Sequence, residues 1–374
     1  MTTSITAQSD GSWVFNSRQP FPLENGQALP ELTLVYETWG ELNADKSNVI
    51  VIHHALSVGA HVASSAGNPE AGWWDNMVGP GKAINSDRYF VICINNLGSC
   101  FGSTGPTSKN PETGKPYRND FPAITIGDMV NSQKLLLDSL GVEQVFAIIG
   151  NSMGAMLSLI WAIEYPDSVA RVMLSCTSYK AYPANIANRN IQQSAIRIDP
   201  AWNSGNYTSN ENLQGFRLAR KLGLYTYRNS AEWNSRFNSH GDAQGEDGEI
   251  IAYMDYNADK FVKMFDANSY LTLTTAMDTY DVTKKYPTPD DCFSRIKAKV
   301  LVVSEEFDIL FTPMQQEELL VCLQNAGVDC HYISHHSQFG HDAFLVETER
   351  FGNYILDFVH DRYVFDDTLV SDSR

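Results

Sequence analysis

Hydrophobic positions along the chain follow two periods, and the switches between them mark out the elements. Short runs of apolar and β-branched residues read as buried strands at 48–53 (NVIVIH), 88–95 (RYFVICIN) and 145–149 (VFAII), and as further strands at 169–176 (VARVMLSC), 299–304 (KVLVVS) and 330–334 (CHYIS). Residues 31–38 (ELTLVYET) alternate apolar and polar, the signature of an outer antiparallel strand. Between the strands the spacing becomes helical. Ile126, Met129, Val130, Gln133, Leu136, Leu137 and Leu140 share one face of a helix over 125–140, closed by Gly141. Helices are also expected from Met153 onward, over 313–326 and over 344–360. Strand–helix alternation of this kind predicts an α/β fold, a mostly parallel sheet flanked by helices.

Two stretches depart from the alternation. Residues 1–30 are polar and read as irregular. From about 178 to 288 no strand pattern occurs. Amphipathic stretches at 185–196, 213–224, 258–265 and 270–279 are separated by polar segments such as 238–248. This predicts a helical insertion acting as a lid. The expected organisation is therefore core over 1–177, lid over 178–290, and core again over 291–374 with an acidic tail. No internal repeat is evident.

One junction stands out chemically. The strand at 145–149 runs into Gly150-Asn151-Ser152-Met153-Gly154 and then directly into helical spacing. A strand, a G-x-S-x-G turn and a helix in that order resemble the nucleophile elbow of the α/β-hydrolase fold. The turn is so tight that the positions two residues either side of Ser152, Gly150 and Gly154, cannot carry side chains, and the helix N-terminus beneath the hydroxyl favours negative charge. In that fold the chain order is Ser, then Asp or Glu, then His, each after a strand. Asp308 follows KVLVVS and His341 follows CHYIS. Serine needs an imidazole to take its proton, and the imidazole needs a carboxylate to fix its tautomer. Glu305 and Glu306 are rivals for the acid and His335 and His336 for the base, but all four lie closer to their strand ends. The loop after 48–53, His54-Ala55-Leu56-Ser57, is placed to give one oxyanion-hole amide, Leu56, with Met153 giving the other.

Composition narrows the partners. A net charge of -17 over 374 residues argues against nucleic acid and against an anionic membrane surface, while leaving room for local arginines to bind a small anion. Hydrophobic residues at 43% suffice for a large core. The six cysteines lack C-x-x-C spacing, so neither a zinc site nor a disulfide framework is expected. His53, His54 and His61 lack carboxylate or cysteine at ligand spacing, and packing or loop hydrogen bonding is the expectation rather than metal. The glycine-rich loop at 96–106 implies close backbone approach to another loop or a ligand. With no basic, apolar leader and no run of transmembrane length, a cytoplasmic protein is expected.

Taken together, His54-Ala55-Leu56-Ser57, Gly72-Trp73-Trp74-Asp75, Gly79-Pro80-Gly81-Lys82, the 95–106 loop, Asp120-Phe121-Pro122, Ser152-Met153-Gly154 and Gly340-His341-Asp342-Ala343-Phe344 resemble the homoserine O-acyltransferase family. The likeness spans about residues 34–358. It implies an α/β-hydrolase-fold enzyme that acylates L-homoserine from acyl-CoA in methionine biosynthesis, by a ping-pong route through acyl-Ser152. It implies no metal or bound cofactor, and a homodimer formed through the helical insertion. Arg220, Tyr227 and Asp342 match the family's binders of the amino-acid substrate: a guanidinium fork suits a carboxylate, and a carboxylate suits an ammonium. The elbow departs from the family's Gly-Gly-Ser-Met-Gly-Gly at Asn151 and Ala155. The segment Asp308-Ile309-Leu310-Phe311 carries leucine where succinyl-using members carry arginine. Leucine cannot pair a distal carboxylate, so Leu310 points to acetyl-CoA; the 95–106 loop looks closer to the succinyl users. A succinyl donor, a serine acceptor and a plain esterase remain the alternatives.

Overall fold

A computed structural model describes residues 3–237 and 248–362. Nine strands form one sheet: β1 (Thr3–Ala7), β2 (Trp13–Ser17), β3 (Leu32–Trp39), β4 (Val49–His53), β5 (Phe90–Ile94), β6 (Ala147–Asn151), β7 (Arg171–Ser175), β8 (Lys299–Glu305) and β9 (Cys330–His335). Their spatial order is β1-β2-β3-β5-β4-β6-β7-β8-β9. The pairs from β1 to β5 are antiparallel, and every pair from β5 onward is parallel.

The continuous apolar runs are explained by burial on both faces. Val49, Val51, Ile148, Val300 and Val302 pack into one core, while Ile50, Ile52, Ala147, Ile149, Leu301 and Val303 pack into the other. The first core is shared with α1 (Ile126–Ser139) and α2 (Met153–Glu164). Between β7 and β8 the chain is helical: α3 (Pro183–Arg197), α4 (Gln214–Thr226), α5 (Ser230–Arg236), α6 (Glu249–Met264) and α7 (Ala267–Asp278). Ile196, Phe216, Phe261 and Leu273 of this cover join the first core directly. Helix α8 (Pro313–Asn325) precedes β9, and α9 (Thr348–Val359) packs Phe351, Ile355 and Phe358 into the second core.

Three expectations need correction. Residues 1–30 are not all irregular: β1 and β2 form a hairpin on the outer edge of β3. Every residue of β1 is exposed, so no alternation betrays it. Helix α6 begins nine residues before the expected 258, at Glu249. The expected helix over 344–360 is broken at Glu347, whose backbone leaves the helical region (ψ 52) and whose carboxylate binds His335 Nε2 at 2.7 Å. The loop at 96–106 closes on itself and on β3, with Asn95 Nδ2 donating to the Phe101 carbonyl and the Val35 amide donating to Ser103 Oγ. Residues 363–374, most of the acidic tail, and 238–247 lie outside the described residues.

Candidate active site

Ser152 is placed by steric exclusion. A Cβ at Gly154 would lie 1.9 Å from the carbonyl oxygen of His53, and one at Gly150 would lie 2.2 Å from Ser158 Oγ. Only glycine lets α2 settle this close against β4. Ser152 takes φ 56 and ψ −122, a conformation an L-residue adopts only under constraint, and its amide is tied to the Ser175 carbonyl at 2.9 Å.

Asp308 follows β8 and His341 sits in a short turn after β9, opened by Gly340 at φ 57. His341 Nε2 lies 2.8 Å from Ser152 Oγ, and its Nδ1 lies 2.7 Å from Asp308 Oδ2. The other Asp308 oxygen accepts the amides of Leu310 (2.7 Å) and Phe311 (2.9 Å). These fixed donors hold the carboxylate, which in turn makes Nδ1 the protonated nitrogen and leaves Nε2 to accept from serine. Burial pushes the His341 imidazole down, but the Asp308 charge, its hydrogen bond and the nearby Asp342 outweigh this, so its pKa is raised.

The rivals have other occupations. Glu305 is fully buried, and its Oε1 accepts the amides of Phe307 and Ser337, each at 3.2 Å. It thereby joins the loop bearing Asp308 to the loop bearing His341. Burial pushes its carboxyl up to about 8. His335 is bound by Tyr354 and Glu347, and exposed His336 by Glu306.

The cavity above Ser152 is walled on the core side by Leu56, Leu310 and His341, and on the cover side by Arg189, Tyr227 and Tyr270. Asp342 also lines it. Among the described residues the amides of Leu56 and Met153 donate no hydrogen bond, so both are available to an oxyanion. Asp342 is not a lone carboxylate: Arg228 Nε reaches it at 3.2 Å while Arg228 Nη1 binds Glu232. Burial raises the Asp342 pKa, opposed by Arg228. The Asp342 amide donates to the Tyr227 carbonyl, fastening the histidine turn to the end of α4. Arg220 lies behind Tyr227, its guanidinium carbon 5.5 Å from that ring and 4.4 Å from Phe261; its Nε and Nη1 are buried and unpartnered among the described residues.

Asn151 stays out of the cavity. Its side chain is buried in β6 and accepts from the Ser175 hydroxyl. Arg228, Gln192, Tyr270 and Arg189 are the residues the motifs passed over. Arg189 did leave a signal, since it occupies a core-spaced position on α3 with Asn185, Gln192 and Ile196.

Among the described residues one group has metal-ligand spacing, and its chemistry does not suit a metal. Cys176, Asp308 and His341 offer ligand atoms within 4.8 Å of one another, but the last two are engaged with each other and with Ser152, and burial holds the Cys176 thiol well above its usual range. His53 bonds Ser158 at 2.9 Å, His54 accepts the Asn96 amide, and His61 binds Glu37. Among the described residues no helix is long and apolar enough to cross a membrane.

Comparison with known proteins places this geometry. A family model described as the alpha/beta hydrolase fold matches residues 48–348. A serine O-succinyltransferase of Stenotrophomonas maltophilia (strain K279a) is 43% identical over 91% of this chain and 95% of its own. A homoserine O-acetyltransferase of Geobacter sulfurreducens (strain ATCC 51573 / DSM 12127 / PCA) is 42% identical over 90% and 94%. Among solved structures, homoserine O-acetyltransferase from Bacillus anthracis superposes with a TM-score of 0.87 at 28% identity, covering 93% of this chain and 97% of its own. Esterase E22 superposes at 0.85 with 30% identity, covering 93% and 99%.

Proposed function

This chain belongs to the homoserine O-acyltransferase family of α/β hydrolases, and we propose that it carries an acyl group from acyl-CoA to the hydroxyl of L-homoserine through an acyl-Ser152 intermediate. The observation that carries the reading is the continuous Ser152–His341–Asp308 relay beneath a cavity wall that includes the buried Arg189, with the Arg220 guanidinium behind Tyr227. The relay supplies a nucleophile. The cationic wall suits an acceptor that bears a carboxylate, which water lacks.

His341 Nε2 takes the Ser152 proton as Oγ attacks the thioester carbonyl. The Leu56 and Met153 amides receive the negative charge that develops on its oxygen. On collapse the C–S bond breaks and His341 returns the proton to the CoA thiolate. Homoserine then enters, its carboxylate toward Tyr227 and the Arg220 charge behind that ring, its ammonium toward Asp342. His341 takes the proton of its hydroxyl, the new oxygen attacks the acyl-enzyme, and Ser152 leaves with that proton. The cover excludes water, which would divert the acyl-enzyme to hydrolysis. Leu310 on the cavity wall favours acetyl as the acyl group. The product would serve methionine synthesis in the cytoplasm.

The protein is further proposed to be a homodimer joined through the helical cover. Support comes from Ile191, Ile198, Leu218, Tyr225 and Tyr256, large apolar side chains that the cover leaves exposed.

The test is thiol release from acetyl-CoA and from succinyl-CoA, each with and without L-homoserine, with products identified by mass. Homoserine-dependent release with O-acetylhomoserine formed is expected. Release indifferent to homoserine, with free acid as the product, would sink the transferase reading in favour of an esterase. A preference for succinyl-CoA would keep the family but remove the role given to Leu310. Arg189 gives that second outcome a specific reason.

A further inference from the structure

We propose that Arg189, held in place by Asp278, is a carboxylate-binding residue of the acyl-transfer cavity and helps decide which acyl and acceptor groups the enzyme takes. The proposal rests on the acyl-transfer reading above and adds a residue to it.

Arg189 projects from α3 and lines the cavity over Ser152, yet the residue is only 4% exposed. Its Nε donates to Asp278 Oδ1 at 2.6 Å. Asp278 closes α7, and its second oxygen is already taken by Gln193 Nε2 at 2.7 Å. Asp278 therefore neutralises Arg189 and orients its plane through one N–H. It does not take the two-pronged edge by which guanidinium and carboxylate usually pair. Arg189 Nη2 is buried with no partner among the described residues. A buried donor left unpaired in this way is costly and calls for an explanation. An arginine with only a structural role would be expected to satisfy both of its outer nitrogens within the fold.

The surroundings supply the explanation. Tyr270 and Gln192, hydrogen-bonded to each other, line the cavity beside Arg189. Among the described residues the one acidic side chain on its wall, Asp342, is held by Arg228. The Tyr270 hydroxyl already donates to Gln192 Oε1 and Gln192 Nε2 to Asn188 Oδ1, so the unpaired edge of Arg189 is the charged donor this corner offers, and its complement is an anion. Charge counting sharpens this. An acetyl donor and an amino-acid acceptor bring one carboxylate to the site, and Arg220 is already matched to it. A second poised guanidinium calls either for a second carboxylate, at the far end of a dicarboxylic acyl group, or for a share in the acceptor's own carboxylate. In either case the chemistry recognised is a carboxylate, and in the first Arg189 joins Leu310 in setting acyl choice.

The test uses Arg189→Met and Arg189→Lys in the full chain, read as ratios that do not depend on the fraction of active protein. The quantities are kcat/KM for succinyl-CoA relative to acetyl-CoA, and KM for homoserine with each donor. For R189M, a roughly 100-fold fall in the succinyl-to-acetyl ratio is expected if the carboxylate belongs to the acyl group. A comparable rise in homoserine KM at an unchanged donor ratio is expected if it belongs to the acceptor. R189K keeps the charge and the Asp278 partner. It should move the same quantity by about tenfold, and it decides the matter if R189M fails to fold. The proposal is overturned if the folded variants keep both quantities within about threefold of the unmodified enzyme. Absence of thiol release by the unmodified enzyme from either donor would instead overturn the acyl-transfer reading.

Discussion

The two walls of the cavity are finished to different degrees. On the sheet side Ser152, His341 and Asp308 have every polar side-chain atom engaged, and the aspartate is pinned by two backbone amides. Across from it the helical cover buries Arg189 Nη2 and both Nε and Nη1 of Arg220 with no partner among the described residues. The sheet side is organised before any ligand arrives, which is what charge stabilisation in a transition state requires. On the proposed function the ligand completes the cover side. Chemistry and recognition are thus built on separate parts of the chain, joined where the Asp342 amide meets the Tyr227 carbonyl.

If that division holds, damage on the two sides should differ in kind as well as size. Ser152→Ala removes the nucleophile, and thiol release from any acyl-CoA should fall by at least about 10,000-fold with folding intact; Asp308→Asn should cost roughly 1,000-fold by admitting the wrong imidazole tautomer. A loss confined to one donor would contradict the shared role of the sheet side. On the cover, Arg220→Met should leave acylation of Ser152 by acetyl-CoA within about threefold. It should raise homoserine KM by roughly 10- to 100-fold, seen by separating burst from steady state. An equal loss in both half-reactions would erase the distinction between the walls.

The smallest effect is on stability. Glu305 ties the two catalytic loops together, with its carboxyl raised to about 8 by burial. Between its ordinary range and about 8 the folded protein keeps a proton that the unfolded chain has released, so stability falls as pH rises through that window. Glu305→Gln abolishes the titration while keeping an acceptor for the two amides. Its melting temperature relative to the unmodified protein should therefore climb by roughly 2–4 °C from pH 5.5 to 8.5, measured by calorimetry. A constant difference across that range would remove Glu305 from the account.

The same contrast explains what was legible in the sequence. The inner strands of the parallel sheet announce themselves because both faces are buried, while the edge strand β9 is only half-buried; chain order then places Ser152, Asp308 and His341 after β6, β8 and β9. The cover offers no such rule. Arg189, Gln192 and Arg228 matter through partners 89, 78 and 114 residues away, respectively Asp278, Tyr270 and Asp342, and no local spacing encodes those meetings. At Glu347 the helical spacing runs on unbroken in the sequence, while the backbone turns aside and the carboxylate meets the His335 imidazole. The β1–β2 hairpin was missed because β1 has no buried face to impose alternation.

The glycine at 154 has a consequence beyond the elbow's shape. With the His53 carbonyl 1.9 Å from where a Cβ would stand, helix and strand meet backbone to backbone, and that contact acts as a mechanical stop. The height of the serine above the sheet is fixed by main chain, independent of any side chain that selection or an engineer would alter. Substitutions in the cover therefore leave the nucleophile's reference position where it was. On the proposed function, retuning the enzyme toward a different acyl group or acceptor amounts to changing the tooling on an unmoved fixture, with Arg189, Arg220 and Leu310 as the parts to exchange.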